Sequence, residues 1–257
     1  MQIDEPYFEL RLAENGSEIR AAQRLRYSVF VDELGGDGEL VDHDARLEAD
    51  RYDPHFDHLV LLDHRRPSDD CVVGVYRLMC AEGAEAAGQF YSEDEYDLSV
   101  LRASGRKLLE LGRSCVHRDY RGGTAMMHLW NGLAEYIATH RIEVMFGMAS
   151  FHGLDPAPLA GPLSLLHHRH LAPEDVRPRA RPEGFQRMDL IAADALDRPA
   201  AIRAMPALIK AYLRLGGFVG EGAFIDRPFN CIDVCLVMDV ARMSDKHRAI
   251  YQKGAAR

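Results

Sequence analysis

The run from Lys107 to Met126, K-L-L-E-L-G-R-S-C-V-H-R-D-Y-R-G-G-T-A-M, limits the folds open to this chain more than any other stretch. An apolar strand pattern carries two opposite charges, Glu110 and Arg113. It then passes through Arg118, Asp119, Tyr120 and Arg121 into Gly122-Gly123, at the mouth of an amphipathic helix. A strand, a glycine turn and a helix N-terminus aim several backbone N–H groups at one point, which suits an anionic group. The helical pattern runs from about Gly122 to Arg141, with Met126, Leu129, Trp130, Leu133 and Ile137 on one stripe. Ile142 to Ser150 is a second apolar strand, and strand–helix–strand predicts a parallel pair joined by a crossover.

Upstream, Tyr7 to Leu12 reads as a strand, Asn15-Gly16 breaks it, and Ser17 can cap a helix reaching about Leu34. Arg26 sits on the apolar side of that helix, four residues before Phe30. An Arg facing a cleft needs an anionic partner or ligand; a snorkelling surface residue is the alternative. Gly35-Gly36-Asp37-Gly38 ends the helix. From Asp32 to Asp57 ten acidic residues stand against Arg46 and Arg51. Such a run is either a solvated loop or a pocket for a cationic substrate. Phe56 to Asp63 and Cys71 to Met79 read as two strands, antiparallel because residues 64–70 make so short a connection. Ala81 to Gly88 reads as small and flexible, and Phe90 to Leu101 as a helix or an irregular crossover.

Between Phe151 and Phe185 the pattern degrades. This segment holds six of the twelve prolines and the run His167-His168-Arg169-His170. It is too short and proline-rich for a core of its own, so it reads as an insertion or lid at about 151–185 within a single domain spanning 1–257. The three histidines have no carboxylate at a recognisable partner spacing, so no metal site is expected. An apolar patch with basic neighbours would suit peripheral contact with membrane lipid or an acidic partner protein. Pro206 suits the first turn of a helix ending at Gly216-Gly217, Phe229 to Val240 is a strand, and a basic helix closes the chain. Cys231 and Cys235 read as core thiols. Five cysteines without a C-x-x-C pair point to reduced thiols in the cytoplasm, with neither a disulfide frame nor structural zinc. No signal peptide or membrane-length apolar run is evident, and the net charge of −9 argues against nucleic-acid binding.

The order of these elements resembles the GNAT acyltransferases. Arg26-x-x-x-Phe30, the acidic loop with Asp42, Asp44, Asp53 and Asp57, Arg77 and Glu110-x-x-Arg113 resemble the N-acylhomoserine lactone synthases. Longer segments resemble the bacterial ornithine Nα-acyltransferases: E-L-G-R-S-C-V-H-R-D-Y-R-G, V-M-F-G-M-A-S-F-H-G, Y-L-R-L-G-G-F-V-G-E-G-A-F-I-D and F-N-C-I-D-V-C-L-V-M-D-V. The fold this implies is α/β: a mixed, mostly antiparallel sheet with a parallel strand–helix–strand core and flanking helices. The implied reaction moves a 3-hydroxy fatty acyl group from acyl carrier protein to the α-amine of L-ornithine, with no bound cofactor. Another acceptor such as glutamine, or lactone synthesis, is the alternative.

The resemblance also implies roles. Glu110 is the candidate base, with Arg113 as its charge partner. Arg26, Phe30, Asp42, Asp44, Arg77 and Ser150 are expected around the acceptor. The backbone N–H groups of Cys115 and Val116 are expected at the oxyanion, and Arg118, Arg121, Gly122 and Gly123 at the phosphopantetheine arm and its carrier. Where common acetyl-CoA users carry Arg/Gln-x-x-Gly-x-Gly/Ala, this chain has R-G-G-T-A-M, and Thr124 and Met126 crowd the approach of a diphosphate. That favours a carrier arm with one phosphate. Residues three apart on a regular strand face opposite sides, so Glu110 and Arg113 meet only if the strand bulges at Gly112. A ping-pong acyl-enzyme on Cys115 is the covalent alternative.

Overall fold

The computed structural model describes residues 7–243, so the basic helix expected at the tail lies outside the described residues. Along the chain come β1 (Phe8–Leu12), α1 (Gly16–Arg26), a π-helical segment (Tyr27–Glu33), β2 (Asp57–Asp63), β3 (Val72–Cys80) and α2 (Ala81–Ala87). Next are β4 (Tyr96–Asp97), α3 (Ser99–Ala103), β5 (Leu108–Val116), α4 (Ala125–His140), β6 (Val144–His152) and α5 (Ala160–His170). The rest are β7 (Arg179–Ala180), β8 (Phe185–Gln186), α6 (Arg198–Ala204), α7 (Ala207–Arg214), β9 (Phe218–Val219), β10 (Ala223–Asp226) and β11 (Cys231–Asp239). The described residues form two compact units, one of residues 7–87 and 111–141, the other of 88–110 and 142–243. β5 contributes its C-terminal half to the first and its N-terminal half to the second.

In the first unit β1, β2 and β3 form an antiparallel meander, with Leu10 opposite Leu61 and Val60 opposite Val75, and β5 follows β3 in the strand order. Side chains alternate across a strand, and here both faces are covered. Ala21, Ala22, Leu25 and Val29 close over Val60, Leu62, Val75 and Cys115 on one face. On the other, α4 turns in Leu129, Leu133 and Ile137. Gly132 lets α4 come close: a Cβ there would lie 2.6 Å from Leu10 Cδ2 and 3.2 Å from Leu59 Cδ1. Double coverage is why β2 and β3 read as almost unbroken apolar runs.

In the second unit Leu108, Leu109 and Glu110 pair in parallel with Val144, Met145 and Phe146. β6 pairs antiparallel with β11 from His152–Cys231 to Val144–Asp239, and β10 and β8 extend the sheet beyond β11. The strands of the molecule are thus mostly antiparallel, with a parallel β5–β6 pair. The proline-rich segment carries α5, whose Leu163, Leu165 and Leu166 are buried.

Several local expectations need correction. The cap of α1 is Asn15, whose Oδ1 accepts from Ser17 N and Glu18 N at 3.1 Å each, and Ser17 lies inside the helix. The helix does not run evenly to Leu34, because after Arg26 it widens into the π-helical segment, a form frequent at functional sites. Ala81–Ala87 is helical, in line with alanine's propensity. Phe90 to Leu101 is divided among a 3₁₀ turn at Tyr91–Asp94, β4 and the start of α3. No helix among the described residues is long and apolar enough to cross a membrane.

Candidate active site

Three arginines from three elements converge on three acids of the 32–57 loop. Arg26 of α1 is fully buried; its Nε donates to Glu48 and its Nη1 to Asp53 Oδ1 at 2.6 Å. Arg77 of β3, also fully buried, donates from Nη1 to the same Asp53 oxygen at 2.6 Å and to Asp50 Oδ2 at 2.7 Å. Arg113 of β5 donates from Nε to Glu48 Oε1 at 3.0 Å, with Nη2 at 3.6 Å from Asp50. Gln23 adds a donor to Asp53 Oδ2 at 2.8 Å. The guanidinium of Arg77 lies 4.3 Å from the Phe56 ring centroid, and that of Arg113 lies 5.8 Å from Phe30.

Burial alone would push the carboxyls of Glu48 and Asp53 up. For Glu48, Arg113, Arg26 and Arg77 outweigh burial and hold it at about 2. For Asp53, Arg26 and Arg77 keep it well below the usual carboxylate range. Glu48 and Asp53 are then ionised at neutral pH, within a cluster that sets three carboxyl groups against three guanidinium groups. The acidic loop is therefore not merely a solvated run, since three of its acids pair with arginines of the core. An interior ion cluster of this kind is sustained by its hydrogen bonds as much as by Coulomb attraction.

Local sequence sets the geometry. Pro54 opens the 3₁₀ turn Asp53–His55, which delivers Asp53, and His58 Nε2 lies 3.0 Å from the Asp53 carbonyl oxygen. Strand β5 is irregular one residue beyond Gly112, where Arg113 has φ 49°. From that left-handed kink Arg113 reaches Glu48 and Asp50. Glu110 is buried, and its carboxylate accepts from Tyr91 N at 2.8 Å, from Ser92 N at 2.6 Å and from the Ser92 hydroxyl.

The other expected residues fall as follows. Asp42 and Asp44 are exposed and outside the cluster, and Asp42 Oδ1 instead accepts from Ala45 N at 2.8 Å within its own turn. Cys115 is buried, and burial pushes its thiol up to about 12, which counts against the acyl-enzyme alternative. The Val116 carbonyl oxygen accepts from Arg121 Nε at 3.0 Å, and Arg121 also donates to Glu33 at 2.7 and 2.9 Å. Arg118 is exposed. Gly122 has φ 77°, which demands glycine, and Gly123 follows it into α4, whose cap Thr124 makes no side-chain capping bond. A cavity of about 570 Å³ opens here, between Gly122–Ala125 and the side chains of Tyr7, Arg65, Arg66, Tyr120 and Arg121.

Ser150 is exposed on β6 opposite Asp233 of β11. Asp233 is pushed up to about 6 by burial and by Asp226. Asp226, Cys231 and Asp233 place possible metal-ligand atoms within 4.8 Å of one another. Burial keeps the Cys231 thiol protonated, and it donates to Asp233 at 3.4 and 3.5 Å. His168 of the histidine run is committed to the Ile191 carbonyl oxygen at 2.9 Å.

Sequence reasoning missed Glu48 and Asp50 and left Asp53 among the loop acids. One signal was available: Asp53-Pro54 just before a strand is a turn initiator, and a turn there aims its acid back along the sheet.

Residues 25–131 match the acetyltransferase (GNAT) domain family. The fold is similar to an N-acyl amino acid synthase from uncultured soil microbes, FeeM, at TM-score 0.51 and 12% identity, over 92% of this chain and 94% of that one. It is also similar to the CoA-dependent acyl-homoserine lactone synthase BjaI at TM-score 0.50 and 14% identity, over 96% of this chain and 89% of that one. By sequence, the chain is 63% identical to the L-ornithine Nα-acyltransferase of Rhodobacter capsulatus, over 96% of its own length and 95% of the relative's. The enzyme of the same name from Brucella abortus is 44% identical over 97% and 90%. With a GNAT fold and full-length identity of this order, the chain is an amino-acid N-acyltransferase and belongs to the L-ornithine Nα-acyltransferase family.

Proposed function

We propose that this enzyme transfers a 3-hydroxy fatty acyl group from acyl carrier protein to the α-amine of L-ornithine, giving a lyso-ornithine lipid. The observation that carries this reading is the 63% identity, over nearly the whole chain, to a relative named for that acceptor. The single obligatory glycine of the turn, Gly122, and the bulk of Thr124 and Met126 after it suit a carrier arm with one phosphate better than a diphosphate. The cavity beside them would receive the arm, with Arg118 and Arg121 facing the carrier.

In the reaction the α-ammonium first gives up a proton to Glu110, directly or through water. The freed amine lone pair attacks the thioester carbonyl carbon, and the N–H groups of Cys115 and Val116 receive the oxyanion. The C–N bond forms to give the tetrahedral adduct; its collapse breaks the C–S bond, and the departing thiolate takes up the second proton, which the nitrogen gives up as the amide forms. The acceptor's carboxylate is drawn to Arg113, the half-buried arginine of the cluster, with Phe30 beside it, Arg26 and Arg77 buried behind it, and Ser150 also around the acceptor. The product is amphiphilic, so release at the surface of the inner membrane from a cytoplasmic enzyme fits this chemistry.

Incubation of the purified protein with 3-hydroxyacyl carrier protein and a panel of amino acids, read by mass spectrometry, tests the reading. Nα-acylornithine is expected. An amide formed on glutamine but not ornithine, or formed equally well from acyl-CoA, would replace the acceptor or the donor respectively.

A further inference from the structure

His58 carries an imidazole that the reaction scheme does not use. It lies on β2 directly opposite Arg77 on β3 and is 3% exposed. The Asp53 carbonyl oxygen, 3.0 Å from Nε2, can only accept, so Nε2 carries the proton and donates to it. Nδ1 is then a lone-pair acceptor, and it is buried with no hydrogen-bond partner. An acceptor left in that state lowers stability, and an apolar side chain at the same place would not incur the loss. The ring's donor end meets the one turn that delivers Asp53 to both Arg26 and Arg77.

We infer that His58 is a positioning residue of the acyl transfer: as an uncharged imidazole it pins the Asp53 turn, and so fixes Arg26 and Arg77 and, through the Glu48 and Asp50 they share with it, the Arg113 guanidinium that meets the acceptor. The charged groups facing it are Asp53 from the turn, Arg26 from α1 and Arg77 from β3, with Glu48 and Asp50 balancing those arginines. A second proton on Nδ1 would place a fourth cation beside a cluster whose three cations are already matched, with no acceptor for the new N–H. Burial, chiefly, holds the imidazole below its ordinary value, with Arg26 and Arg77 adding to the effect. The folded protein therefore resists a proton that the unfolded chain accepts at about pH 6.5. Stability falls as pH drops below about 6.5, while the folded imidazole stays neutral and keeps its bond to the Asp53 carbonyl oxygen until its own, lower value is reached.

This inference rests on the arginine cluster being the acceptor's wall, and the test separates the two. His58→Gln keeps an N–H donor at the position of Nε2 but cannot titrate, whereas His58→Leu removes the donor. Rates with ornithine are measured from pH 5 to 8.5 for the wild type and both variants, together with urea midpoints. At pH 8, His58→Leu is expected to lose tenfold or more in kcat/KM for ornithine, carried mainly by KM, while His58→Gln recovers most of that loss. Below pH 6.5 the wild-type urea midpoint is expected to fall more steeply than that of His58→Gln. If His58→Leu binds ornithine as the wild type does, or if the acid-side slopes of wild type and His58→Gln coincide, the inference is overturned. Failure of the wild type to acylate ornithine at any pH would instead sink the proposed function, and the urea comparison would still decide the state of the imidazole.

Discussion

Arg26 and Arg77, fifty-one residues apart on a helix and a strand, meet on a single oxygen atom, Oδ1 of Asp53, each at 2.6 Å. Asp53→Asn keeps the shape and withdraws the charge, leaving two buried guanidinium groups against an amide. Breaking a buried pair from one side costs ~3–5 kcal/mol. The urea midpoint is expected to drop accordingly, and acylation to fall below detection. A stability loss under 1 kcal/mol, well short of that estimate, would mean the cluster is open to water.

Glu48 and Asp42 differ sharply although both belong to the acidic loop. Glu48 is buried between Arg26 and Arg113, whereas Asp42 is exposed and caps only its own turn. Glu48→Gln should destabilise by several kcal/mol, and Asp42→Asn or Asp44→Asn by less than about 0.5 kcal/mol. Thermal melts of the three variants side by side give the answer, and equal shifts would contradict the placement of these acids.

The same cluster fixes an acid limit to stability. Glu48 is held at about 2 because its three arginines outweigh burial, while an unfolded glutamate ionises at about 4.3. As pH falls the unfolded chain takes up the proton first. The contribution of Glu48 is therefore complete above about pH 5 and disappears as pH falls toward 2. Urea midpoints at intervals from pH 3 to 7 should fall on the acid side, and less steeply in Glu48→Gln.

Arg113 combines an ion pair with a left-handed backbone. Arg113→Ala loses the pair and keeps the strain, whereas Arg113→Gly loses both. The glycine variant should be the more stable of the two by about 1 kcal/mol, and both should be poorly active. The reverse order would show that the β5 kink relaxes once the side chain is gone.

Glu110→Gln should cost about 10²–10⁴ in turnover if the carboxylate takes the ammonium proton. The amide oxygen can keep the two bonds from Ser92, but the amide NH2 then faces the Tyr91 N–H, so the melting temperature should fall modestly while circular dichroism keeps the folded signature. A variant that acylates ornithine near the wild-type rate would move the base elsewhere.

The strand, glycine turn, helix and strand from Leu108 to His152 were legible because each has its own period and Gly122 has a conformation few other residues accept. The β2–β3 hairpin was legible for the same reason, a short turn between two apolar runs. Which acids of the loop matter was not. Ten carboxylates along 26 residues carry no periodicity, and only the chain's return path at Asp53-Pro54 separates Asp53 from Asp42. The kink in β5 was foreseen as a need, at Gly112. It falls at Arg113, where the ion pairs to Glu48 and Asp50 offset a conformation that Arg alone would avoid. Asn15 and Ser17 are both good caps, and only the backbone path chooses between them.

Gly132 sits in the middle of α4 and looks like an obvious target for thermostabilisation, since alanine is the better helix former by about 1 kcal/mol. The 2.6 Å separation from Leu10 Cδ2 turns that gain into a loss. An added methyl would require Leu10 to move, with its Cγ and Leu59 Cδ1 also only 3.2 Å away. Directed evolution for heat tolerance should therefore leave position 132 untouched, or change it only together with a smaller residue at position 10.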